Sequence, residues 1–323
     1  MNIRRTAASV AALGLTFTLA ACGGGGDAAS SGDAEEITTL NLGTLPIAAS
    51  TAINVGIEEG IFEKHGLDIQ IDSGQGGAAT LPAVTTGDID LAVGNPLTVL
   101  LADTQGLEVQ LVAGYSNSRA ETPDTTAIVV PEDSEIQDAA DLAGATVAVN
   151  TLTSGGDLNA MEAVAKANGD PGTIDFVEVA FQDTLPQVEQ GNVDAGWLVE
   201  PFLSQALANG HRVASWLYLE SIPGGQPTMI VYGADKFVEE NPEVVENFRI
   251  ALDETLQMVQ QDPNLVRDLL PELMNMPEEV AANLELDDFD AELDVEGIQA
   301  IADLMVTHGF TEQEPDVEGL IGQ

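Results

Sequence analysis

One short phrase occurs twice in this chain. The first copy runs Thr80-Leu81-Pro82-Ala83-Val84-Thr85-Thr86-Gly87-Asp88-Ile89-Asp90. The second runs Thr184-Leu185-Pro186-Gln187-Val188-Glu189-Gln190-Gly191-Asn192-Val193-Asp194. Each passes into a short apolar stretch and then a polar residue before proline, Asn95-Pro96 in one and Glu200-Pro201 in the other. Glycine tolerates the positive φ that ends a helix, so Gly87 and Gly191 read as helix stops. Asp90 and Asp194 then open strands. Proline suits the first position of a helix, because the N–H it lacks has no partner there. Each copy therefore reads as helix, turn, strand and the start of a second helix, with Asn95 and Glu200 at or near the caps. Two like units predict two like lobes, and two lobes make a cleft where a small molecule can bind.

The stretches around the phrase alternate in the same way. Strand patterns are expected at residues 38–43, 67–71, 90–94 and 108–114, with helices at 50–62, 78–86 and 97–104 between them. A polar segment with a proline, 115–124, reads as a linker. The rhythm restarts with strands at 126–130, 146–150, 174–179 and 194–198 and helices at 136–142, 157–168, 184–190 and 202–209. A second linker is expected at 221–228, where Pro223, Gly224, Gly225 and Pro227 cluster. One more strand, 229–232, precedes a helical tail at 242–261, 265–270, 277–284 and 295–307. Alternating strands and helices with short connections predict an α/β fold with mostly parallel sheets. A tail with one strand makes a poor domain alone, so it is expected to return to the first unit. The organisation that follows is one lobe from 37–122 and 226–323, a second from 123–225, two hinge crossovers and a central ligand cleft.

The chain carries 54 Asp plus Glu against nine Lys plus Arg, a formal net charge of −45 over 323 residues. Such a field repels nucleic acid, which excludes that class of partner. The acidic residues are spread along the chain and the lysines number only three, Lys64, Lys166 and Lys236, a pattern that fits a surface adapted to high salt. Arg4 and Arg5 precede an apolar run from 7 to 21, which reads as a signal peptide and is too short for a comfortable membrane span. The single cysteine, Cys22, excludes a disulfide framework and a multi-cysteine zinc site. Leu19-Ala20-Ala21-Cys22 resembles the bacterial lipobox, in which the cysteine is lipidated and becomes the mature N-terminus. Residues 22–36, rich in Gly, Ser and acid, then form a flexible tether.

In an open α/β sheet, ligands sit beyond the carboxyl ends of the strands, where helix N-termini point. The candidates at such places are Leu45 and Pro46 after the first strand, Gly76 and Gly77 after the second, Asn95, Thr153 and Ser154, and Glu200. Trp197 lies in the strand before Glu200, facing either core or cleft. Tyr115, in the first linker, is a second aromatic surface on which a heterocycle could stack. Arginines suited to an anion are few, and only Arg119 lies beside a hinge.

Enzyme motifs are lacking: the chain has no G-x-S-x-G, P-loop or H-E-x-x-H. His65, His211 and His308 each fall beside glycine at an expected helix end, where a histidine faces the helix dipole. No metal, cofactor or catalytic residue is therefore expected. The alternative is a same-fold enzyme or binder acting on a pyrimidine-type heterocycle.

Several longer stretches carry a resemblance. Gly60-Ile61-Phe62-Glu63-Lys64-His65-Gly66-Leu67-Asp68 is one, and Gly87-Asp88-Ile89-Asp90 another. Asp141-Leu142-Ala143-Gly144-Ala145-Thr146-Val147-Ala148-Val149 follows, then Gly191-Asn192-Val193-Asp194 with Glu200-Pro201-Phe202. In order and spacing, over residues 40–237, they resemble the nitrate/sulfonate/taurine-type substrate-binding proteins of ABC transporters, which are related to pyrimidine-precursor-binding proteins. The resemblance implies a type II periplasmic-binding-protein-like fold, a monomer that captures a small solute in its cleft, and delivery to the permease subunits of an importer. It also implies a lipid-anchored form on the extracytoplasmic face of the cell membrane.

Overall fold

The computed structural model describes residues 37–321 apart from Gln75. The expected leader, Cys22 and the tether lie outside the described residues. Eleven strands are present among those described: β1 (Thr38–Thr44), β2 (Leu67–Ser73), β3 (Leu91–Gly94), β4 (Val109–Asn117), β5 (Thr126–Val130), β6 (Thr146–Val149), β7 (Asp175–Glu178), β8 (Ala195–Val199), β9 (Arg212–Ser215), β10 (Pro227–Ala234) and β11 (Asp288–Phe289). They form a six-stranded sheet of order β11-β4-β10-β3-β1-β2 and a five-stranded sheet of order β7-β6-β8-β5-β9. The chain thus leaves the first sheet after Asn117, builds the second from Thr126 to Ser215, and re-enters the first at Pro227.

The sheets are mixed rather than mostly parallel. β1 runs parallel to β2 and β3, and β6 parallel to β7 and β8. β10 is antiparallel to β3 and β4, and β5 is antiparallel to β8 and β9. The strands that follow a crossover, β5 and β10, are reversed, and so is the two-residue β11, which runs antiparallel to β4. A strand fed from the other lobe enters its sheet from the opposite end to one fed by a local helix, so each crossing reverses direction. β9 and β11 were not foreseen; four and two residues long, they carry little pattern of their own. The expected helix at 50–62 is broken into Thr51–Glu58 and Ile61–Lys64 at Gly60, whose φ is +67°. The stretch 136–142 yields only a 3₁₀ turn, Ala139–Leu142.

The tail does return to the first sheet. Helices Pro242–Gln261 and Asn264–Leu273 pack on Thr51–Glu58, with Phe248 stacked on Phe62 at 5.9 Å between ring centres. β11 pairs with β4, and the Leu111 N–H donates to the Leu320 carbonyl at 2.8 Å. Leu40, Leu42 and Leu91 are fully buried in the first sheet, and Ile128, Val147 and Leu198 in the second. Packing of this apolar surface is what holds each layer together.

The doubled phrase has the same structure in both places. Asp90 Oδ2 accepts from the Asn41 backbone N–H at 2.7 Å, while the Asp90 N–H donates to the Asn41 carbonyl at 3.0 Å. Asp194 Oδ2 accepts from the Thr146 N–H at 2.8 Å, and its own N–H donates to the Thr146 carbonyl at 2.9 Å. Each aspartate therefore ties the opening of its strand to the neighbouring one. Thr80 and Thr184 return hydroxyl bonds to the carbonyls of Gly76 and Ala180, four residues earlier, at 3.1 and 3.2 Å. Gly87 and Gly191 both take positive φ, +80° and +68°.

The two crossovers are bonded to each other. The Ser118 N–H donates to the Gln226 carbonyl at 2.8 Å, and the Gln226 N–H donates to Ser118 Oγ at 3.0 Å. The buried Gln226 side chain also donates to Asn159 Oδ1 at 2.8 Å, on the helix Gly155–Lys166. A satisfied buried polar network of this kind fixes one geometry at the crossing.

Candidate functional site

A cleft lies between the two sheets. The loop after β1 (Leu45, Ile47, Ala48, Ala49), Gly76, Asn95, Thr228, Met229 and residues 285–287 form one wall. Thr125, Thr126, Asn150, Ser154, Phe181, Trp197, Val199, Glu200 and Tyr218 form the other. Of the residues singled out from sequence, Leu45, Gly76, Asn95, Ser154, Trp197 and Glu200 meet here. Pro46 is exposed next to the cleft and does not line it. Gly77 opens the helix Gly77–Thr86 behind Gly76, and Thr153, at φ +56°, lines a separate groove beside Pro82 and Leu101.

Tyr115 corrects a sequence expectation. It belongs to β4 rather than a linker, and both faces of that strand are covered. Its ring is 1% exposed and meets Phe289 edge-on, and its hydroxyl donates to the Ala49 carbonyl at 2.8 Å. It braces the loop after β1 from behind and offers no stacking face to the cleft.

Trp197 is both core and cleft. It is 5% exposed, packs edge-on against Phe181 at 5.2 Å and against Tyr218 at 6.3 Å, and donates from Nε1 to Thr126 Oγ1 at 2.5 Å. Gly156 makes this position possible, because a Cβ there would lie 2.2 Å from the indole ring. Its neighbour Gly155 lets the lobes touch: a Cβ on it would lie 2.7 Å from Asn95 Nδ2, across the cleft. Asn95 caps its helix through the Leu97 N–H at 3.0 Å and donates to the Thr228 carbonyl at 3.1 Å. Ser154 precedes the helix Gly155–Lys166, where Asp157 accepts from the Ser154 and Thr153 N–H groups at 2.7 and 2.5 Å.

Glu200 differs from the expected cap in one respect. Pro201 takes the cap position and the helix begins at Phe202. The Glu200 carboxylate reaches forward instead, accepting from the Ser204 N–H at 3.1 Å and Ser204 Oγ at 2.9 Å. Its own carbonyl accepts from the Ala48 N–H at 3.0 Å, a direct link between the lobes. Glu200 is 7% exposed, and burial pushes its carboxyl up to about 7 against the bonds from Ser204.

Sequence reading missed the residues brought by the tail. Asp287 Oδ1 accepts from the Thr125 hydroxyl, and Oδ2 accepts from Ser116 and Thr228 hydroxyls, each at 3.0 Å. Asp287 shows part of its surface to the cleft yet lies deep in the protein, away from bulk solvent, and this depth raises its pKa. Glu285 is paired with Arg119. Asp124, 1% exposed, accepts from the Thr125 and Arg119 N–H groups at 2.8 and 3.2 Å, and burial pushes it up to about 7, with the charge of Asp287 adding to the shift. No local signal marks this cluster, because Asp287 is one acid among many until the tail folds back.

The cleft lining contains no Cys, His or Lys. His65 contacts Glu254 at 3.1 Å, and His308 contacts Glu162 at 2.7 Å, both outside the lining. Among the described residues no group of three or more His, Cys, Asp or Glu is placed to hold a metal ion, and no helix is long and apolar enough to cross a membrane.

Two mixed sheets, two crossovers and a cleft between them define the type II periplasmic-binding fold. The chain belongs to the NMT1/THI5-like family, whose family model matches residues 48–265. It is 28% identical over 277 residues to a protein of Brachyspira hyodysenteriae named as an ABC transporter periplasmic binding protein, covering 83% of this chain and 76% of that one. It is 25% identical over 248 residues to the formylaminopyrimidine-binding protein of Halalkalibacterium halodurans, covering 75% and 72%. Among solved structures, the alkanesulfonate-binding protein of Xanthomonas axonopodis pv. citri superposes with a TM-score of 0.74 at 18% identity, over 88% of this chain and 98% of that one.

Proposed function

We propose that this chain is the extracytoplasmic solute-binding component of an ABC importer, which closes its two lobes, 37–122 with 226–323 and 123–225, on a small solute and delivers it to the permease. The observation that carries the reading is the cleft itself: walls from both sheets meet around Trp197, Glu200, Asn95 and Asp287. A ligand there contacts both lobes at once, and its binding energy goes into holding them closed. The names of the two sequence relatives support the same role. The importer-type solutes suggested by resemblance, sulfonates, taurine and nitrate, belong to this reading as a class of small polar molecules.

Catalysis on a bound heterocycle is the weaker reading. The lining offers no thiol, imidazole or amine to act as nucleophile or cofactor anchor. Its carboxyls are engaged by hydroxyls, backbone N–H groups and Arg119. Calorimetric titration with candidate solutes, followed by mass spectrometry of the recovered solute, tests the assignment. Binding with the solute returned intact supports import, and a changed mass points to an enzyme.

The reading includes a lipid anchor on Cys22, which tethers the domain through residues 22–36. Cys22→Ser is expected to move the protein from the membrane fraction to the soluble fraction on cell fractionation. A variant that stays with the membranes would remove the anchor from the account.

A further inference from the structure

The charge on the cleft wall bears on which solute is taken. Glu200, Glu285 and Asp287 all line the cleft, one from the second sheet's lobe and two from the returning tail. Behind them lies Asp124, buried, its Oδ2 without a hydrogen-bond partner among the described residues. Against these four carboxyls stands Arg119, and it is already paired with Glu285. No lining residue is Lys, Arg or His.

Buried carboxyls without counter-charges are unfavourable when ionised. They can take up protons, or they can be neutralised by a cation that enters with the ligand. The Glu200 oxygens each accept one bond from Ser204 and so keep lone pairs for a further donor. Trp197, Tyr218 and Phe181 add aromatic surface of the kind that receives organic cations. A bare anion would meet the same carboxyls without a free basic side chain to receive it.

We propose that the cleft selects a small organic cation, with an ammonium- or amidinium-type group set against Glu200, Glu285 and Asp287 and its body against Trp197, Tyr218 and Phe181. This inference rests on the solute-binding reading and narrows it to cations, setting aside the anionic sulfonates and nitrate. The N–H donors of the ligand take the remaining carboxylate lone pairs, and neutralisation of the wall favours the closed form.

Calorimetry with three probes of similar shape tests it: benzamidine hydrochloride, benzyl alcohol and sodium benzenesulfonate. A fixed high ionic strength screens the general acidic field of the surface. Benzamidinium is expected to bind at least about tenfold more tightly than benzyl alcohol, with benzenesulfonate weakest. Glu200→Gln and Asp287→Asn should each erase most of that preference. Glu254→Gln, which removes a surface carboxylate paired with Lys64, should leave it unchanged. Two variants guard against one failing to fold, and circular dichroism checks both. Equal or tighter binding of benzenesulfonate, a preference that survives both substitutions, or binding of none of the three would overturn the inference. The solute-binding reading fails separately, when a solute recovered from the protein is chemically altered.

Discussion

Glu200 and Asp124 are carboxyls that the fold holds near neutrality, and their titration should be visible in stability. Burial raises Glu200 from 4.5 to about 7, Asp124 from 3.8 to about 7 and Asp157 from 3.8 to about 6. In that window the folded chain keeps protons that the unfolded chain has lost, so stability declines as pH rises from the unfolded values towards the folded ones, and levels off above them. Glu285, Asp287 and Arg119 face the same space, and the raised Asp287 acts in the same direction. The ligand-free protein is therefore expected to melt at a higher temperature near pH 5 than near pH 8 at constant high salt, with Glu200→Gln flattening the slope. A melting temperature that is level or rising across that range would contradict the assignment. Single residues were legible from sequence where their role is local. Asn95 and Glu200 follow strand ends that the chain itself announces, and Trp197 lies in the strand just before Glu200. Asp287 and Tyr218 were not legible, because long-range folding brings them to the cleft. Tyr115 was misread because polar neighbours on its C-terminal side hid the end of a strand covered on both faces.

At the scale of elements, the doubled phrase is a strand-tying device used twice. Asp90 and Asp194 make matching bonds to Asn41 and Thr146, so Asp90→Ala and Asp194→Ala should cost similar amounts, about 1 kcal/mol each for an exposed charge-assisted bond. Urea unfolding measures both, and a large cost at only one position would break the equivalence. The helix Gly155–Lys166 meets the opposite lobe through Asn159 and Glu162 and, at its N-terminal end, through a residue with no side chain. Gly155→Ala would set a methyl 2.7 Å from Asn95 Nδ2 and is expected to hold the lobes apart. Small-angle scattering should then report a larger radius of gyration than wild type in the presence of a bound solute, and equal radii would show that the contact does not limit closure. Periodicity and turn residues located most of these elements correctly. They did not give strand direction, because β5 and β10 are reversed by the route of the chain between lobes rather than by anything within their own residues.

For the whole molecule, a net charge of −45 sets the conditions under which the fold is comfortable. Self-repulsion among spread surface carboxylates is relieved by screening. The melting temperature is accordingly expected to rise with added NaCl at neutral pH, and a flat or falling response would remove salt adaptation from the account. The two-lobe plan was legible because a repeat and two polar linkers are features of the linear chain. The character of the cleft was not, since its two walls come from many short stretches spread between Leu45 and Asp287. The central claim is that this cleft holds a small solute without changing it. Native mass spectrometry of protein isolated from its own host tests that most directly. The account predicts one small molecule bound at one per chain, unchanged in mass on prolonged incubation and lost from Glu200→Gln. A ligand whose mass changes during incubation, or one retained in full by that variant, would contradict it.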